Sequence, residues 1–305
     1  MNNSVLVSSV IRGAEHGDSH GGLYRVDFSD GACEQLLDWN DSGIDFDGRG
    51  ADRGLRGIVI HGEEIFIAAS DELFLFDKEF RILNSWRCPA LKHCHEMSLW
   101  RGAIYLTSTG FDSILRFDLR TRAFDLGLRL HAGPSGYSVA QFDPNAAGVI
   151  APSAGMHLNN VHVDESGYYA SGLKIPALIQ FNMSRAAVYA EIPMGSHNAR
   201  PFRGGVILND TDNDQLVWFS PDDFLAFPTP SYPDEELRHR DVDKTGVARQ
   251  AFGRGLCFLS DTLIAGGSSP TTVSLYDLAA RRRISSVNLT MDVRNAAHGL
   301  APWPF

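Results

Sequence analysis

The chain has little of what marks secreted and membrane proteins. Its four cysteines are scattered over 305 residues, at positions 33, 88, 94 and 257, with no C-x-x-C spacing. They are too few and too dispersed for a disulfide framework, so a reducing compartment is expected. No apolar run approaches the roughly 18–20 residues needed to span a bilayer, and residues 1–12 lack the basic and apolar parts of a signal peptide. We therefore predict a cytoplasmic protein.

Positive charge is also scarce. The chain has 27 Lys and Arg against 37 Asp and Glu, a net charge of −10 with histidine neutral. Nucleic acids and anionic membranes attract basic surfaces, so neither is an expected partner. The hydrophobic fraction is 44%, with 18 Phe, 8 Tyr and 5 Trp. This composition excludes global disorder and can fill a large core.

Sustained helical periodicity is absent, apart from a turn or two expected near residues 222–226. Instead, six short segments alternate aromatic or aliphatic residues and mostly end in Asp. They are LYRVD (23–27), LFLFD (73–77), ILRFD (114–118), LIQFN (178–182), LVWFS (216–220) and VSLYD (273–277). An apolar strand that ends in small or polar residues precedes each of them, so each pair predicts a β-hairpin.

A third repeated strand lies ahead of these hairpins. RGIVIH begins at Arg56 and RGLCFL at Arg254, and comparable strands begin at His95, His157 and His197. The sixth copy, HGLAPW, begins at His298 near the C-terminus, and its hairpin partner is VLVSSVI near the N-terminus. We predict an all-β, six-bladed β-propeller that is one domain over residues 1–305, closed by pairing of the C-terminal strand with the N-terminal blade.

Outer fourth strands are visible in five of the six blades. They cover residues 34–39, 81–86, 123–128, 187–192 and 283–289, and the fifth blade has no clear one. The long irregular segments are residues 12–20, 40–55, 128–156 and 220–252. Propeller topology puts all of these on one face, which is the expected place for a substrate pocket.

The whole chain resembles the six-bladed propellers of the NHL-repeat, gluconolactonase-like and strictosidine-synthase-like group. This resemblance rests on the repeated strands rather than on a catalytic motif. The blade openings His-x-Asn and Arg-Gly-Leu are also similar to those of a poorly characterised family of bacterial propeller proteins, which carries no known reaction with it. Function must therefore be argued from the site.

One residue at the start of each inner strand is the strongest functional signal. In blade order these residues are His298, Arg56, His95, His157, His197 and Arg254. Imidazoles that converge at the mouth of a central channel can bind a divalent transition metal, although ligation by His alone does not distinguish Fe, Zn, Mn and Cu. Arg56 and Arg254 would hold a carboxylate or phosphate, and Glu96 would tune a ligand or move a proton.

These residues predict a metal-dependent enzyme that acts on a small, anionic or polar metabolite, with oxygenase or lyase chemistry favoured. A lactonase-like metal-dependent hydrolase is one alternative. Gluconolactonase-like enzymes use Glu, Asn and Asp around calcium or zinc, and the inner strands here offer several asparagines but few carboxylates. A non-catalytic propeller that binds a ligand or protein is the other alternative, because polar strand mouths also bind water without chemistry.

Two further groups leave their roles open. Glu15, His16, Asp18 and His20 lie in the turn of the first blade and are either ligands or a solvated hairpin tip. Arg49 and Arg53 lie in a Gly-rich segment that is either part of an anion site or a structural loop. The chain has no G-x-S-x-G nucleophile motif.

Overall fold

The computed structural model describes residues 3–15, 17–40, 54–146, 148, 151–241 and 248–305. Its fold is an all-β, six-bladed β-propeller, as predicted. The described residues form 25 strands in six sheets, and their helices are two 3-10 turns, Thr109–Phe111 and Asp234–Glu236. Within this part of the chain, no helix is long and apolar enough to cross a membrane.

Each sheet is an antiparallel series of neighbouring strands. The first has the order β25 (Asn295–Pro302), β1 (Ser4–Ile11), β2 (Gly22–Asp27), β3 (Ala32–Asp38). The second contains β4 (Ile58–His61), β5 (Glu64–Ala69), β6 (Glu72–Phe76) and β7 (Ile82–Trp86). The third contains β8 (Met97–Trp100), β9 (Ala103–Ser108), β10 (Ser113–Asp118), β11 (Ala123–Gly133) and β12 (Gly136–Phe142).

The remaining three sheets have four strands each. The fourth contains β13 (Leu158–Asp164), β14 (Gly167–Gly172), β15 (Ala177–Phe181) and β16 (Ala186–Glu191). The fifth contains β17 (Ser196–Phe202), β18 (Gly205–Asp210), β19 (Gln215–Phe219) and β20 (Phe224–Pro228). The sixth contains β21 (Leu256–Phe258), β22 (Leu263–Ser268), β23 (Thr272–Asp277) and β24 (Arg282–Asn288).

The first sheet joins the two ends of the chain. Strand β25 pairs with β1 in antiparallel register, with Val5 opposite Pro302 and Leu6 opposite Ala301. Val5 and Leu6 are fully buried. The predicted closure of the propeller by its C-terminal strand is therefore confirmed.

Two strands were not expected. The fifth sheet has an outer strand, β20, where the sequence predicted none, and the helical turn expected near residues 222–226 is wrong. Strand β20 alternates exposed and buried residues, which is the pattern of an edge strand with one covered face. In the third sheet, β11 continues to Gly133 and pairs with β12, so much of residues 128–156 is a hairpin rather than an irregular segment.

The Asp that ends the repeated segments shapes the turn between the third and fourth strands. Asp77 Oδ1 accepts hydrogen bonds from the backbone N–H of Glu79 and Arg81, at 3.0 and 2.8 Å. Asp118 Oδ1 likewise accepts from the N–H of Arg120 and Thr121. In such Asx turns, the side-chain oxygen of Asp takes the place of a backbone carbonyl as the hydrogen-bond acceptor. The repeat's most regular acidic residue is thus structural, and it lies outside the candidate site.

Hydrophobic burial follows the strand order. The second strands are buried on both faces, whereas outer strands such as β3 and β16 are largely exposed. Between the second and third sheets, Phe66, Trp86 and Phe117 pack with ring centroids 4.9–6.4 Å apart. Aromatic pairs at these spacings pack favourably.

The chain divides into two compact units. The terminal unit consists of Met1–Ile58 and Asn213–Phe305, and the middle unit consists of Val59–Asp212. Each unit contains hydrophobic clusters of its own. The two units are described separately below, and the single domain over residues 1–305 stays a prediction.

Candidate functional site

The seven predicted site residues are divided between the two units. The middle unit holds His95, Glu96, His157 and His197, and the terminal unit holds Arg56, Arg254 and His298. Four of them, Arg56, His95, His197 and His298, are at most 7% exposed. Buried polar side chains need hydrogen-bond partners, so their contacts define what each one can do.

His95 lies just before β8 and is held at two points. Its backbone N–H donates to Thr107 Oγ1 at 2.8 Å. Its Nδ1 lies 2.9 Å from the carbonyl oxygen of His93 and 2.8 Å from Thr109 Oγ1. The Thr109 hydroxyl itself donates to the carbonyl of Leu158. Because a carbonyl can only accept, the proton of neutral His95 is on Nδ1, and Nε2 carries the lone pair.

His157 contacts His95 edge to face. Their ring centroids are 5.4 Å apart and the ring planes are inclined by 66°. His157 has a φ of 52°, in the left-handed region that residues with a Cβ rarely adopt. A Cβ on Gly172 of β14 would lie 2.4 Å from the Met156 carbonyl oxygen. Gly172 therefore allows the segment that carries His157 to lie against the end of β14.

His197 repeats the arrangement of His95 at the start of β17. Its Nδ1 lies 3.2 Å from the carbonyl oxygen of Gly195, two residues earlier. The hydroxyl of Thr211 donates to the same carbonyl. Neutral His197 thus also carries its proton on Nδ1. Two of the three candidate histidines in the middle unit therefore have the same tautomer, fixed by the same kind of backbone contact.

Glu96, which directly precedes β8, reaches the inner strand of the fifth sheet. Asn198 Nδ2 donates to Glu96 Oε2, and Asn198 Oδ1 accepts from Asn209 Nδ2 at 3.0 Å. The amide of Asn198 is therefore oriented from both ends. The inner strand β13 lies beside both β8 and β17.

The pKa of Glu96 is raised to about 8. Burial is the largest cause, because the charged carboxylate loses its hydration. Hydrogen bonds from Met97 N–H and Asn198 and the charge of Arg200 oppose this effect. Glu96 is half-buried. The atoms packed around its carboxyl remove most of the hydration that would stabilise the charged form. It is therefore mostly a neutral carboxylic acid at pH 7.

The backbone is irregular where these side chains leave the inner strands. Thr107 Oγ1 accepts from the N–H of both His95 and Glu96, at 2.8 and 3.0 Å. On β17, the register shifts between His197 and Arg200. Bulges interrupt the strict alternation of side chains and re-aim them. Simple alternation therefore does not decide which residues face the site.

Arg200 adds positive charge to the same part of the middle unit. Its charge acts on Glu96 and also on His162 of β13. The pKa of His162 is lowered to about 4 by burial and by Arg200, while Asp164 acts in the opposite direction. His162 is therefore neutral at pH 7. The middle unit combines two kinds of group that are uncharged there, a carboxylic acid and an imidazole.

In the terminal unit, Arg254 lies beside His298. Arg254 Nη1 is 3.2 Å from His298 Nε2. A guanidinium is always a donor, so Nε2 is the acceptor and its lone pair is engaged. His298 would have to release Arg254 before Nε2 could bind a metal. This arrangement differs from that of His95 and His197, where Nδ1 makes the fixed contact.

A bulge also occurs on β25 of the terminal unit. Its register with β1 shifts between Val7 and Ser9. Ser8 Oγ accepts from the N–H of Gly299 at 2.8 Å and donates to the carbonyl of Arg56 at 2.5 Å. Ser8 thus has the role in this unit that Thr107 has in the middle unit. Ser8 satisfies the Gly299 N–H at this bulge, and Thr107 satisfies two N–H groups just ahead of β8.

A metal site is only partly supported by the donors. Among the described residues, no three His, Cys, Asp or Glu side chains are grouped so that they could hold one metal ion. His95 and His157 are adjacent, but a catalytic metal typically takes three protein ligands. The four-histidine metal site, with His95, His157, His197 and His298, therefore stays a prediction.

The polar turn of the first blade is not assembled on one face. Glu15 and Asp18 are exposed, whereas His20 is 1% exposed. The N–H of Glu15 donates to Asp18 Oδ2 at 3.2 Å, a contact within the turn itself. His16 lies outside the described residues, as do Arg49 and Arg53.

Sequence reasoning missed several residues that shape the site. Thr107 lies in the second strand of the blade, and Thr109 lies in the turn that follows it. Both are far in sequence from the inner-strand motif, so the motif did not point to them. Arg200 lies three residues after His197, and no other blade has an arginine at the equivalent position. Asn198 is one of the inner-strand asparagines, and its contact with Glu96 depends on the tertiary structure.

No protein-family model matches the chain, and its sequence matches no curated protein. Solved structures match its fold. A protein of unknown function from Bacteroides caccae has a TM-score of 0.60 at 9% identity and covers 100% of both chains. A chain of a nidogen/laminin complex has a TM-score of 0.59 at 10% identity, covering 97% of each chain. A Lactobacillus plantarum protein has a TM-score of 0.52 at 10% identity, covering 94% of this chain and 83% of its own. At these identities the matches show the fold alone.

Proposed function

We propose that the chain is an enzyme that moves protons on a small polar or anionic metabolite, with Glu96 as its acid and base. The observation that carries the proposal is the buried Glu96 carboxyl, whose pKa is raised to about 8. A group that titrates near the working pH can both give and take a proton efficiently. Strongly shifted pKa values also concentrate at functional sites.

The contacts of Glu96 suit this role. Asn198 donates to one carboxyl oxygen, and Asn209 orients Asn198 in turn. Because this amide pair fixes the carboxyl, little reorganisation is needed when a proton moves. Arg200 lies close enough to stabilise the carboxylate once the proton has left, or a negative charge that develops on the substrate.

His95 supplies a second proton-transfer group beside Glu96 in the sequence. Its Nδ1 proton is held by the His93 carbonyl, so Nε2 is the nitrogen that would accept a proton. A base and a neutral acid at the start of one strand suit elimination or isomerisation of a substrate with an acidic C–H bond. Lyase chemistry therefore fits these residues better than oxygenase chemistry.

The test is hydrogen exchange in a pool of small carboxylic and phosphorylated metabolites. The protein is incubated with the pool in D2O, and proton NMR detects loss of a C–H signal or formation of a product. We expect at least one compound to react, with the reaction lost in Glu96→Gln and retained in Glu165→Gln, an exposed acid in a turn. Equal reaction with the wild type and E96Q would overturn the role of Glu96.

A metal-dependent enzyme is the second candidate. Its support is the orientation of His95 and His197, because metal-ligating histidines usually donate their other ring N–H to a carbonyl or carboxylate. Some of His95, His157 and His197 would hold the ion, and a bound divalent metal would act as a Lewis acid. This candidate predicts near-stoichiometric metal in protein purified without an affinity tag, and its loss in His157→Ala. Absence of metal, with unchanged stability of H157A, would contradict it.

A further inference from the structure

A groove of about 570 Å³ lies between the third and fourth sheets, within the middle unit. Strand β12 contributes one wall, and the end of β16 with the residues after it contributes the other. The apolar residues of the lining are Tyr137, Pro176, Ala177, Val188, Ile192 and Pro193. Pockets for small molecules have volumes of about 300–1,000 Å³, so this groove has room for one.

The two walls of the groove are fixed to each other. Tyr137 and Val139 of β12 pack on the hydrophobic cluster that contains Ala177. Gln141, farther along β12, donates from Nε2 to the carbonyl of Met183 at 3.0 Å, in the turn before β16. The groove is therefore formed before a ligand arrives, which reduces the entropy lost on binding.

Two polar groups of the lining are available to a ligand. Glu191 is exposed and is the one charged residue among the described residues of the lining. Its carboxylate forms no hydrogen bond or ion pair with any residue that the structure describes, and neither does the Tyr137 hydroxyl. Lys174, the basic residue nearest to the lining in sequence, instead donates to the carbonyl of Ala154 at 3.2 Å.

Apolar surface is concentrated beside the groove. Nine large hydrophobic side chains of the described residues are exposed, and four of them lie within residues 183–194. These four are Met183, Val188, Tyr189 and Met194. Val188, which lines the groove, is 51% exposed, and Met194, which directly follows the lining, is 52% exposed. Exposed apolar surface of this kind, next to a preformed groove, is typical of a binding site.

We propose that this groove binds a small organic amine, with its hydrocarbon part against Val188 and Ile192 and its ammonium group at Glu191. An ammonium group has only donors, so the carboxylate of Glu191 and the phenol oxygen of Tyr137 both suit it. An organic acid would instead meet the like charge of Glu191. This site shares no residue with the group around Glu96 and does not depend on its proposed chemistry.

An NMR titration of the nitrogen-labelled protein with phenethylamine tests the proposal, with hydrocinnamate as a carboxylate probe of similar size. We expect saturable shifts of the amide signals of residues 188–192, with a Kd for phenethylamine on the order of 1 mM. Hydrocinnamate should bind at least about fivefold more weakly.

Three variants separate the two parts of the ligand. Glu191→Gln should weaken amine binding by about three- to fivefold, and Val188→Ala should weaken it by about two- to threefold, because less apolar surface is buried. Glu165→Gln removes an exposed acid outside the groove and should change the affinity by less than about 1.5-fold.

Three results would overturn the proposal. They are the absence of saturable amine binding to the wild type, binding of hydrocinnamate as tight as that of phenethylamine, or equal affinities of E191Q and E165Q for the amine. A second copy of the chain that covered the groove would give the first of these results, together with a dimer in light scattering. E96Q should bind the amine like the wild type, so a failure of the Glu96 proposal is distinguishable from a failure of this one.

Discussion

The middle and terminal units use the start of the inner strand in opposite ways. In the middle unit, burial keeps the Glu96 carboxyl protonated and backbone carbonyls hold His95 and His197 in one tautomer. In the terminal unit, the same position carries Arg254, which donates to His298 and stacks on Phe252. One scaffold thus supports a neutral, proton-moving group and a cationic group.

The scaffold itself is shared. Both units have a register shift in an inner strand, and in both a hydroxyl of a second strand accepts a hydrogen bond from a backbone N–H of an inner segment. Thr107 has this role in the middle unit and Ser8 in the terminal unit. The comparison teaches that the blade provides the position, whereas the side chain provides the chemistry.

The largest expected effect comes from Glu96→Gln. An unfolded chain releases the Glu96 proton near its ordinary pKa of 4.5, whereas the folded chain holds it to about 8. The folded state therefore binds more protons between these pH values, and wild-type stability falls as the pH rises through them. The slope is at most on the order of 1 kcal/mol per pH unit.

Urea unfolding at pH 5, 6, 7 and 8 measures this effect. E96Q should gain stability relative to the wild type as the pH rises, and Glu165→Gln should not. If the difference in the free energy of unfolding between E96Q and the wild type stayed constant across this range, Glu96 would be an ordinary acid. The contrast between the two units would then be wrong.

The next effect tests the shared scaffold. Thr107→Val and Ser8→Ala each leave buried backbone groups without an acceptor, so each should lower the free energy of unfolding by about 1–3 kcal/mol. Loss of stability in only one of the two variants would show that the two hydroxyls are not equivalent.

The smallest expected loss of stability concerns Thr109, which contacts His95 in the middle unit. Thr109→Val removes the hydroxyl between His95 Nδ1 and the Leu158 carbonyl, which should cost about 1 kcal/mol. Thr121→Val, at an exposed turn hydroxyl, is the matched control and should cost less than about 0.5 kcal/mol. Equal losses in urea unfolding would mean that Thr109 does not hold His95 in place.

The sequence predicted the repeated part of the fold well. The alternating segments that end in Asp are third strands, and the Asp forms the following turn, so one local pattern reports both features. Strand β20 was not predicted, because Ser220-Pro-Asp-Asp precedes it and Pro228 ends it, and these residues are typical of a loop. Strand β12 was not predicted, because its residues are mostly exposed and its pairing with β11 is what makes it a strand.

The candidate site was predictable in position but not in contacts. The shared register placed His95, His197 and Arg254 at equivalent strand starts. The pairing of Glu96 with Asn198 joins residues 102 positions apart in the sequence, and no local pattern carries that information.

The most direct test of the account is the pKa of Glu96, measured by NMR of side-chain carboxyl carbons in protein labelled at glutamate. The resonance that is missing in E96Q identifies the residue. We predict that this resonance titrates near pH 8 in the folded protein. Titration near 4.5, the ordinary value, would contradict the claim that the middle unit holds a neutral acid.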